Sequence, residues 1–252
     1  MFARRALVAA LATIIFISAC TSSSGSQAQT TLEIYAASSL ATPFAYAGIA
    51  FEKEHPGVRV QFNLGASSDL ARFVQEGAPA DVFASADAAN MDKVESEDLL
   101  ESPSVIFATN YLEIIVEKGN PLNISSLEDL SNPDLIFVTT NPDVPIGQYT
   151  AEVLRKAGVS ITPDSFESNV KGIMLKVASG EADAGIVYHS EVIAADGQVE
   201  GIKIPTEFNV EAKYPIGIIK NTAHKKQAQE FIDFLLSPKG QALLIQYGFK
   251  NP

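Results

Sequence analysis

The sequence predicts an α/β fold of two domains, each a mostly parallel sheet flanked by helices. Strand-like and helix-like runs alternate from residue 31 onward, which is typical of parallel sheets with helical crossovers. Two long strand-like runs, at 111–116 and 212–219, lie about 100 residues apart and bracket a middle block. About 220 residues remain after the N-terminal segment, enough for one large or two small domains.

Residues 1–19 are predicted to be an export signal. Arg4 and Arg5 give a positive start, and residues 6–18 form an apolar run that is too short for a stop-transfer helix. The run ends in Ile-Ser-Ala-Cys, which has the form of a lipoprotein cleavage box. Cys20, the only cysteine of the chain, is therefore expected to become a lipid-bearing first residue that holds the protein at a membrane surface. The Ser/Gln-rich residues 20–30 are expected to form a flexible tether.

The charge of the chain restricts its partners. The formal net charge is −12, and removal of residues 1–19 takes away two arginines and no acid, which leaves 16 basic against 30 acidic residues, or −14. This excess of acid argues against a nucleic-acid partner, because phosphate contacts need a basic face. A bound anion would have to be held by local dipoles against an unfavourable overall field.

Two strands of the first unit are each followed by a turn that contains a pair of serines. Strands are predicted at 32–36, 58–62 and 81–85, and helices at 41–54, 70–76 and 88–94. Ala37-Ser38-Ser39 follows the first strand, and Gly65-Ala66-Ser67-Ser68 follows the second. One such turn is most often a simple helix N-cap. Two in consecutive units would share the sheet edge where open α/β sheets bind ligands, and the free N–H groups of helix starts suit an anion.

A second unit begins near residue 111. Strands are predicted at 111–116, 135–139, 184–188 and 202–204, a short helix at 127–130, and longer helices at 148–157 and from within 165–170 to 179. The strand at 212–219 is interpreted as a return to the first unit, followed by helices at 227–236 and 240–247. We therefore expect a discontinuous domain I, 31–109 plus 215–252, with domain II, 110–214, inserted in it. Two connecting strands would form a hinge that lets the domains close.

Taken together, these pieces resemble the solute-binding proteins of molybdate ABC importers, from residue 31 to the end. The motifs that match are Ala36–Leu40, Gly65–Ala71, Gly77–Asp87, Val144–Tyr149, Gly185–Tyr188 and Tyr214–Ile216. The resemblance implies a two-domain periplasmic binding protein fold, a "flytrap", with an oxyanion in the interdomain cleft. It further implies an ABC permease and its ATPase as partners. Together with the export signal and Cys20, we expect a monomer without a cofactor that works outside the cytoplasm, lipid-anchored to the cell membrane.

The resemblance assigns five positions to the oxyanion. Ser39, Ser67 and Tyr188 would supply hydroxyl groups, and Ile146 and Val170 would supply backbone N–H groups. Such a set of N–H and O–H donors without a carboxylate suits molybdate bound through its oxygens, with no protein atom on the metal. Tungstate has nearly the same size and shape, so the sequence does not separate the two. Asp69 stands where relatives commonly carry an uncharged residue, and we expect it to face solvent from the first turn of its helix.

Other functions fit less well. Sulfate would need a tighter pocket, and phosphate would need an acceptor for its proton. A ferric complex would need paired tyrosines or carboxylates, and Tyr188 is the one tyrosine that can be placed in the cleft. A structural lipoprotein would not need four helix starts at one sheet edge. Enzymatic activity is not expected, because His55, His189 and His224 are scattered and no nucleophile–base motif or metal-binding histidine pair is present.

Overall fold

The computed structural model describes residues 29–252. The predicted export signal, Cys20 and most of the predicted tether therefore lie outside the described residues. Within this range, no helix has the length and apolar character needed to cross a membrane.

Ten strands and eight α-helices are found in residues 29–252, together with two short 3₁₀ turns, Ser38–Leu40 and Glu128–Ser131. The strands are β1 Thr30–Ala37, β2 Val58–Gly65, β3 Val82–Ala84, β4 Val105–Asn110, β5 Leu112–Glu117, β6 Phe137–Thr140, β7 Ser165–Glu167, β8 Ala184–Tyr188, β9 Val199–Lys203 and β10 Ala212–Ile218. The helices are α1 Ala41–Glu54, α2 Ser67–Gln75, α3 Ala88–Ser96, α4 Pro145–Ala157, α5 Val170–Ala178, α6 His189–Ala194, α7 Lys225–Leu236 and α8 Pro238–Gln246.

The strands form two five-stranded sheets, which confirms the α/β class. The first sheet has the order β2-β1-β3-β10-β4 and the second has the order β7-β6-β8-β5-β9. Each sheet has three adjacent parallel strands, β2-β1-β3 and β7-β6-β8, and continues with two strands in antiparallel pairing, so that only β10 and β5 run against the other four strands of their sheets. The sheets are therefore mixed. In the first sheet the antiparallel pairing has a simple cause, because the chain leaves along β4 and returns along β10 in the opposite direction.

The chain passes between the two sheets at two places. It leaves the first sheet at Tyr111, between β4 and β5, and comes back through residues 204–211. Asn209 joins the two crossings, because its side-chain amide accepts a hydrogen bond from the Leu112 N–H (3.0 Å) and donates one to the Leu112 carbonyl (2.9 Å). The division into domains at 110 and 215 stays a prediction. Strand β10 already belongs to the first sheet at Ala212, which pairs with Asn110.

Three elements differ from the sequence prediction. Strand β4 was not predicted, because only Tyr111 separates it from β5 and no glycine or proline marks the break. The region of β7 was predicted as the start of a helix, but Ser165–Glu167 pairs with β6 at the sheet edge and α5 begins only at Val170. The short helix α6, which directly follows Tyr188, was also not predicted.

One continuous core runs through both sheets. We call the sheet β2-β1-β3-β10-β4 with its helices the first lobe and the sheet β7-β6-β8-β5-β9 with its helices the second lobe. In the first lobe the core is rich in phenylalanine: Phe44 and Phe51 on α1 both make edge-on ring contacts with Phe231 on α7. Each fully buried ring of this kind contributes about 1.5–3 kcal/mol of hydrophobic stabilisation. Between the lobes the core contains two buried tyrosines, Tyr188 of the second sheet and Tyr214 of the first, whose ring centroids are 5.7 Å apart.

Candidate functional site

The two serine turns of the first sheet lie side by side. Ala37 and Gly65, the last residues of β1 and β2, are register partners in parallel strands. Ser39 then falls in the 3₁₀ turn that leads into α1, and Ser67 is the first residue of α2. Both serines are buried, with 3% and 1% of their surfaces exposed. Neither α1 nor α2 has a side-chain cap at its start, so capping does not explain these serines.

The second lobe contributes two helix starts and one strand end. Ile146 is the second residue of α4, which begins at Pro145, and its N–H is among the groups that have no acceptor within a helix. At the start of α5, the Asn169 side chain accepts from the Lys171 N–H (3.0 Å) and the Asn169 carbonyl accepts from the Gly172 N–H (3.1 Å). The Val170 N–H is thereby left as the available donor. The sequence analysis did not single out Asn169, although asparagine directly before an apolar helical run is a helix-start signal.

All five predicted residues line one cavity between the two lobes. The cavity has a volume of about 10 Å³, far below the roughly 300–1,000 Å³ typical of drug-sized ligands. Its other lining residues are Ala37, Ser38, Gly65, Ala66, Ala86, Val144, Pro145 and Asn169. None of the cavity-lining side chains in the described part of the chain is charged. A small polar ligand therefore fits the cavity better than an extended organic molecule does.

The oxygen atoms of both serines already have hydrogen-bond partners. The Ala86 N–H donates to Ser67 Oγ at 3.0 Å. Ser39 Oγ lies 3.1 Å from Tyr214 Oη, in a buried contact in which either oxygen can donate. Ser67 thus receives a hydrogen bond from the backbone, and its own hydroxyl hydrogen is free to be donated to a ligand.

Tyr188 has a buried hydroxyl group without a partner. The residue is 1% exposed, and within residues 29–252 its Oη has no hydrogen-bond partner of good geometry, although the Tyr214 ring lies next to it with centroids 5.7 Å apart. Burial, reinforced by the neighbouring Tyr214 and Tyr149 phenols, raises the pKa of Tyr188 well above its ordinary value. Tyr188 therefore keeps its proton, and a buried donor without a partner fits a ligand that supplies an acceptor.

The acidic residues near the site have partners of their own. Asp69, in the first turn of α2, is exposed and lies 3.5 Å from the Arg72 guanidinium, so the prediction that it faces solvent is confirmed. The buried Glu191 carboxylate accepts from the Lys171 ammonium at 2.6 Å. Burial raises the pKa of Glu191, although Lys171 acts in the opposite direction. Across residues 29–252, His, Cys, Asp and Glu form no group of three or more that could hold a metal ion.

Tyr214 is a second residue whose link to the site was not predicted, although the sequence analysis named it as part of a matching motif. Only Tyr188 had been placed in the cleft, but Tyr214 on β10 is also linked to the cleft, because its hydroxyl contacts the Ser39 hydroxyl. The signal available in the sequence was the position of Tyr214 in the strand that returns to the first sheet. That strand lies next to β3, and the Tyr214 hydroxyl reaches Ser39 in the turn that follows β1.

A cavity of hydrogen-bond donors between two α/β lobes joined by two crossings defines a two-lobed solute-binding protein. Residues 32–250 match the family described as "Bacterial extracellular solute-binding protein", and the chain belongs to this family. It is 37% identical over 226 residues to the molybdate-binding protein ModA of Mycobacterium tuberculosis, a match that covers 90% of this chain and 87% of the relative. YvgL of Bacillus subtilis, provisionally named as an ABC transporter substrate-binding lipoprotein, is 30% identical over 96% of each chain.

More distant relatives include sulfate-binding proteins. The sulfate-binding protein of Synechococcus elongatus is 27% identical over 96% of this chain and 80% of its own. Among solved structures, the periplasmic molybdate-binding protein of Azotobacter vinelandii has a TM-score of 0.77 at 23% identity and covers 88% of this chain and 99% of its own. This structural similarity confirms the predicted two-lobed fold.

Proposed function

We propose that this protein captures molybdate in the cavity between its two lobes and delivers it to an ABC permease driven by its ATPase. One observation supports this above all. Three buried hydroxyl groups and two helix-start N–H groups surround a small cavity whose lining carries no charged side chain. A tetrahedral dianion has only acceptors to offer such a cavity. Each hydrogen bond to the charged ligand would contribute about 1.5–3 kcal/mol.

The helix starts would take the place of a positive side chain. In the closed site, the first turns of α2, α4 and α5 present N–H groups at the positive ends of their helix dipoles. These partial charges act over one turn, so they can hold an anion locally although the whole chain is negative. Tungstate fits the same chemistry and is proposed as a second ligand of this site.

Sulfate is the second candidate, and the similarity to sulfate-binding proteins favours it. Sulfate is also a proton-free tetrahedral dianion at neutral pH, so the same donors would serve it. The two ligands differ in size, and discrimination between them would depend on the width of the cavity. The higher identity to ModA, 37% against 27%, is our reason for placing molybdate first.

Phosphate and a ferric complex fit this donor set poorly. Hydrogen phosphate needs an acceptor for its proton, and among the described residues the cavity lining has no carboxylate to supply one. Ferric ligation would require tyrosine phenolates. Tyr188 and Tyr214 are a buried pair, but burial raises the pKa of both well above the ordinary value, so neither readily loses its proton.

The setting of the protein is part of the proposal. Export, a lipid on Cys20 and a tether over 20–30 would keep a monomeric binding domain outside the cytoplasm and beside its membrane permease. The proposed role is binding and release without catalysis. Domains 31–109 plus 215–252 and 110–214 would close on the ligand and present their rims to the permease.

Calorimetric titration of the mature chain with molybdate, tungstate, sulfate and phosphate tests this proposal. We expect molybdate and tungstate to bind most tightly, sulfate more weakly and phosphate least. Tightest binding of sulfate would favour the second candidate, and tightest binding of phosphate would contradict the assignment of a donor-only site. Asp69→Asn provides a matched control, because Asp69 points away from the cavity and its charge should not affect the order of affinities.

A further inference from the structure

We infer that Tyr214 is a positioning residue that fixes the direction of the Ser39 hydroxyl and thereby makes the cavity select against protonated anions. This inference rests on the proposed function, because it concerns the same cavity. Tyr214 is not among the cavity-lining residues, so it would act through Ser39 and not by touching the anion.

The Tyr214 phenol is held in place by its surroundings. Tyr214 is completely buried, and its Oη lies 3.1 Å from Ser39 Oγ. Its ring makes edge-on contacts with Tyr188 at 5.7 Å, Phe249 at 5.1 Å and Phe107 at 6.4 Å between ring centroids. Three aromatic neighbours leave the ring little freedom to turn away, so the contact with Ser39 is a fixed feature of the folded chain.

Counting protons determines which of the two hydroxyls donates. A proton-free anion can only accept, so Ser39 must donate its single hydrogen to the anion. The contact between Ser39 and Tyr214 can then form only with Tyr214 as the donor. In the opposite arrangement Ser39 would donate to Tyr214, and the buried Tyr214 hydrogen would be left without the acceptor that Ser39 provides, which is unfavourable. Binding of a proton-free anion therefore favours one chain of hydrogen bonds, in which Tyr214 donates to Ser39 and Ser39 donates to the anion.

The same logic applies to Ser67, but with a fixed donor. The Ala86 backbone N–H that donates to Ser67 Oγ cannot become an acceptor. One serine of the site is thus directed by the backbone, and the other is directed by a side chain that a substitution can change. As long as Tyr214 donates to Ser39, the Ser39 hydrogen is directed at the anion and opposes the proton of hydrogen phosphate. Without the Tyr214 hydroxyl, Ser39 can rotate and offer a lone pair in that direction instead.

Tyr214→Phe tests the inference because it removes the hydroxyl and keeps the ring. Molybdate, sulfate and phosphate are titrated into the wild-type chain and the variant at pH 7. We expect molybdate and sulfate to bind about 3- to 10-fold more weakly, which is the range expected for one hydrogen bond. Phosphate should bind equally well or better, so the preference for proton-free anions shrinks. A loss of the same factor for all three anions would indicate a merely structural role and would overturn the inference.

Tyr149→Phe is the matched control. The Tyr149 ring also makes an edge-on contact with Tyr188, at 6.3 Å, but Tyr149 is not among the residues that line the cavity. Loss of its hydroxyl should leave the ratio of the phosphate and molybdate affinities unchanged. A shift in that ratio equal to the shift in Tyr214→Phe would mean that any missing buried phenol has this effect, and the inference would fall.

A double-mutant cycle with Ser39→Ala gives the second readout. If Tyr214 acts through Ser39, then Tyr214→Phe should have little effect on molybdate affinity once Ser39 is alanine. An undiminished effect in that background would contradict the inference. Should Tyr214→Phe fold poorly, Ser39→Ala alone removes the same directed donor, and an unchanged anion preference in that variant would overturn the inference.

The failure of this inference can be told apart from the failure of the proposed function. If the wild-type chain prefers sulfate to molybdate, the comparison is made with sulfate, which is also proton-free. If it binds none of the oxyanions, both proposals are wrong. If it binds molybdate and the anion preference of Tyr214→Phe is unchanged, only the inference about Tyr214 is wrong.

Discussion

Substitution of Tyr188 by phenylalanine should have opposite effects on folding and on binding. In the arrangement of the two lobes seen in the structure, the Tyr188 hydroxyl is buried, with no hydrogen-bond partner among the described residues. Leaving such a group without a partner costs about 1–3 kcal/mol, and Tyr188→Phe removes the group while keeping the ring. We therefore expect the ligand-free variant to be more stable than the wild type by about 1 kcal/mol, the lower end of that range. For a chain of this size, the unfolding midpoint would rise by about 2–4 °C.

Binding should change in the other direction. The same hydroxyl is proposed to donate to the anion, and a hydrogen bond to a charged group contributes about 1.5–3 kcal/mol. Its loss would weaken molybdate binding about 10- to 150-fold, since 1.4 kcal/mol corresponds to a factor of ten. Calorimetric titration measures the affinity. Thermal unfolding with and without molybdate measures both effects in one experiment, because a ligand stabilises the folded state by RT ln(1 + [L]/Kd).

The opposite signs make this prediction easy to refute. Molybdate should stabilise Tyr188→Phe less than it stabilises the wild type, although the ligand-free variant starts from a higher midpoint. A variant that is less stable without ligand would show that Tyr188 Oη has a partner in the folded protein. A variant that binds molybdate as tightly as the wild type would remove Tyr188 from the site. Tyr214→Phe is a suitable comparison, because its hydroxyl does have a partner in Ser39 and its loss should not stabilise the ligand-free chain.

Three further predictions follow from the same site. Ser39→Ala and Ser67→Ala should each weaken molybdate binding by at least about 1 kcal/mol in a titration, and unchanged affinity in both would exclude them from the site. Gly147→Ala would place its Cβ 2.3 Å from the Asn141 carbonyl oxygen, so the start of α4 must shift. We expect the unfolding free energy, measured by chemical unfolding, to fall by about 1–3 kcal/mol and molybdate binding to weaken. Wild-type values for both would contradict this. Stability should also fall as the pH rises above about 10, because tyrosines of the unfolded chain ionise there whereas burial raises the pKa of Tyr188 and Tyr214 in the folded state. The unfolding free energy should fall by up to about 1.4 kcal/mol per pH unit for each of these tyrosines. The fall should be smaller in Tyr188→Phe, which is the check.

The elements with strong periodic patterns were predictable from the sequence. Helix α1 has the predicted bounds, Ala41–Glu54, because its apolar positions repeat at helical spacing and a serine turn and a His-Pro-Gly turn mark its ends. Strand β4 was not predictable in the same way. It passes into β5 across Tyr111 without a turn signal, and the boundary exists only because the two strands pair with different sheets. Pairing of this kind is a tertiary property that local propensity does not encode.

The edge that holds the site was also predictable, because consecutive parallel strands end on the same side of a sheet. The five predicted positions do come together around one cavity, although their role in binding stays a prediction. The hydrogen-bond directions could not be predicted. Ala86, which donates to Ser67 Oγ, lies 19 residues from it along the chain, and Tyr214, which contacts Ser39 Oγ, lies 175 residues from it. No local pattern relates such distant positions.

The division of the donors between the two lobes gives the proposed site its mechanical consequence. Ser39 and Ser67 belong to the first lobe, whereas Ile146, Val170 and Tyr188 belong to the second. Neither lobe alone can surround a tetrahedral ion, so the anion would gain its full set of hydrogen bonds only when the lobes are closed. A ligand shifts a conformational equilibrium by its difference in affinity for the two states. Because the donors are uncharged, the empty site leaves no buried charge without a partner, and the anion would favour the closed arrangement by accepting hydrogen bonds from both lobes.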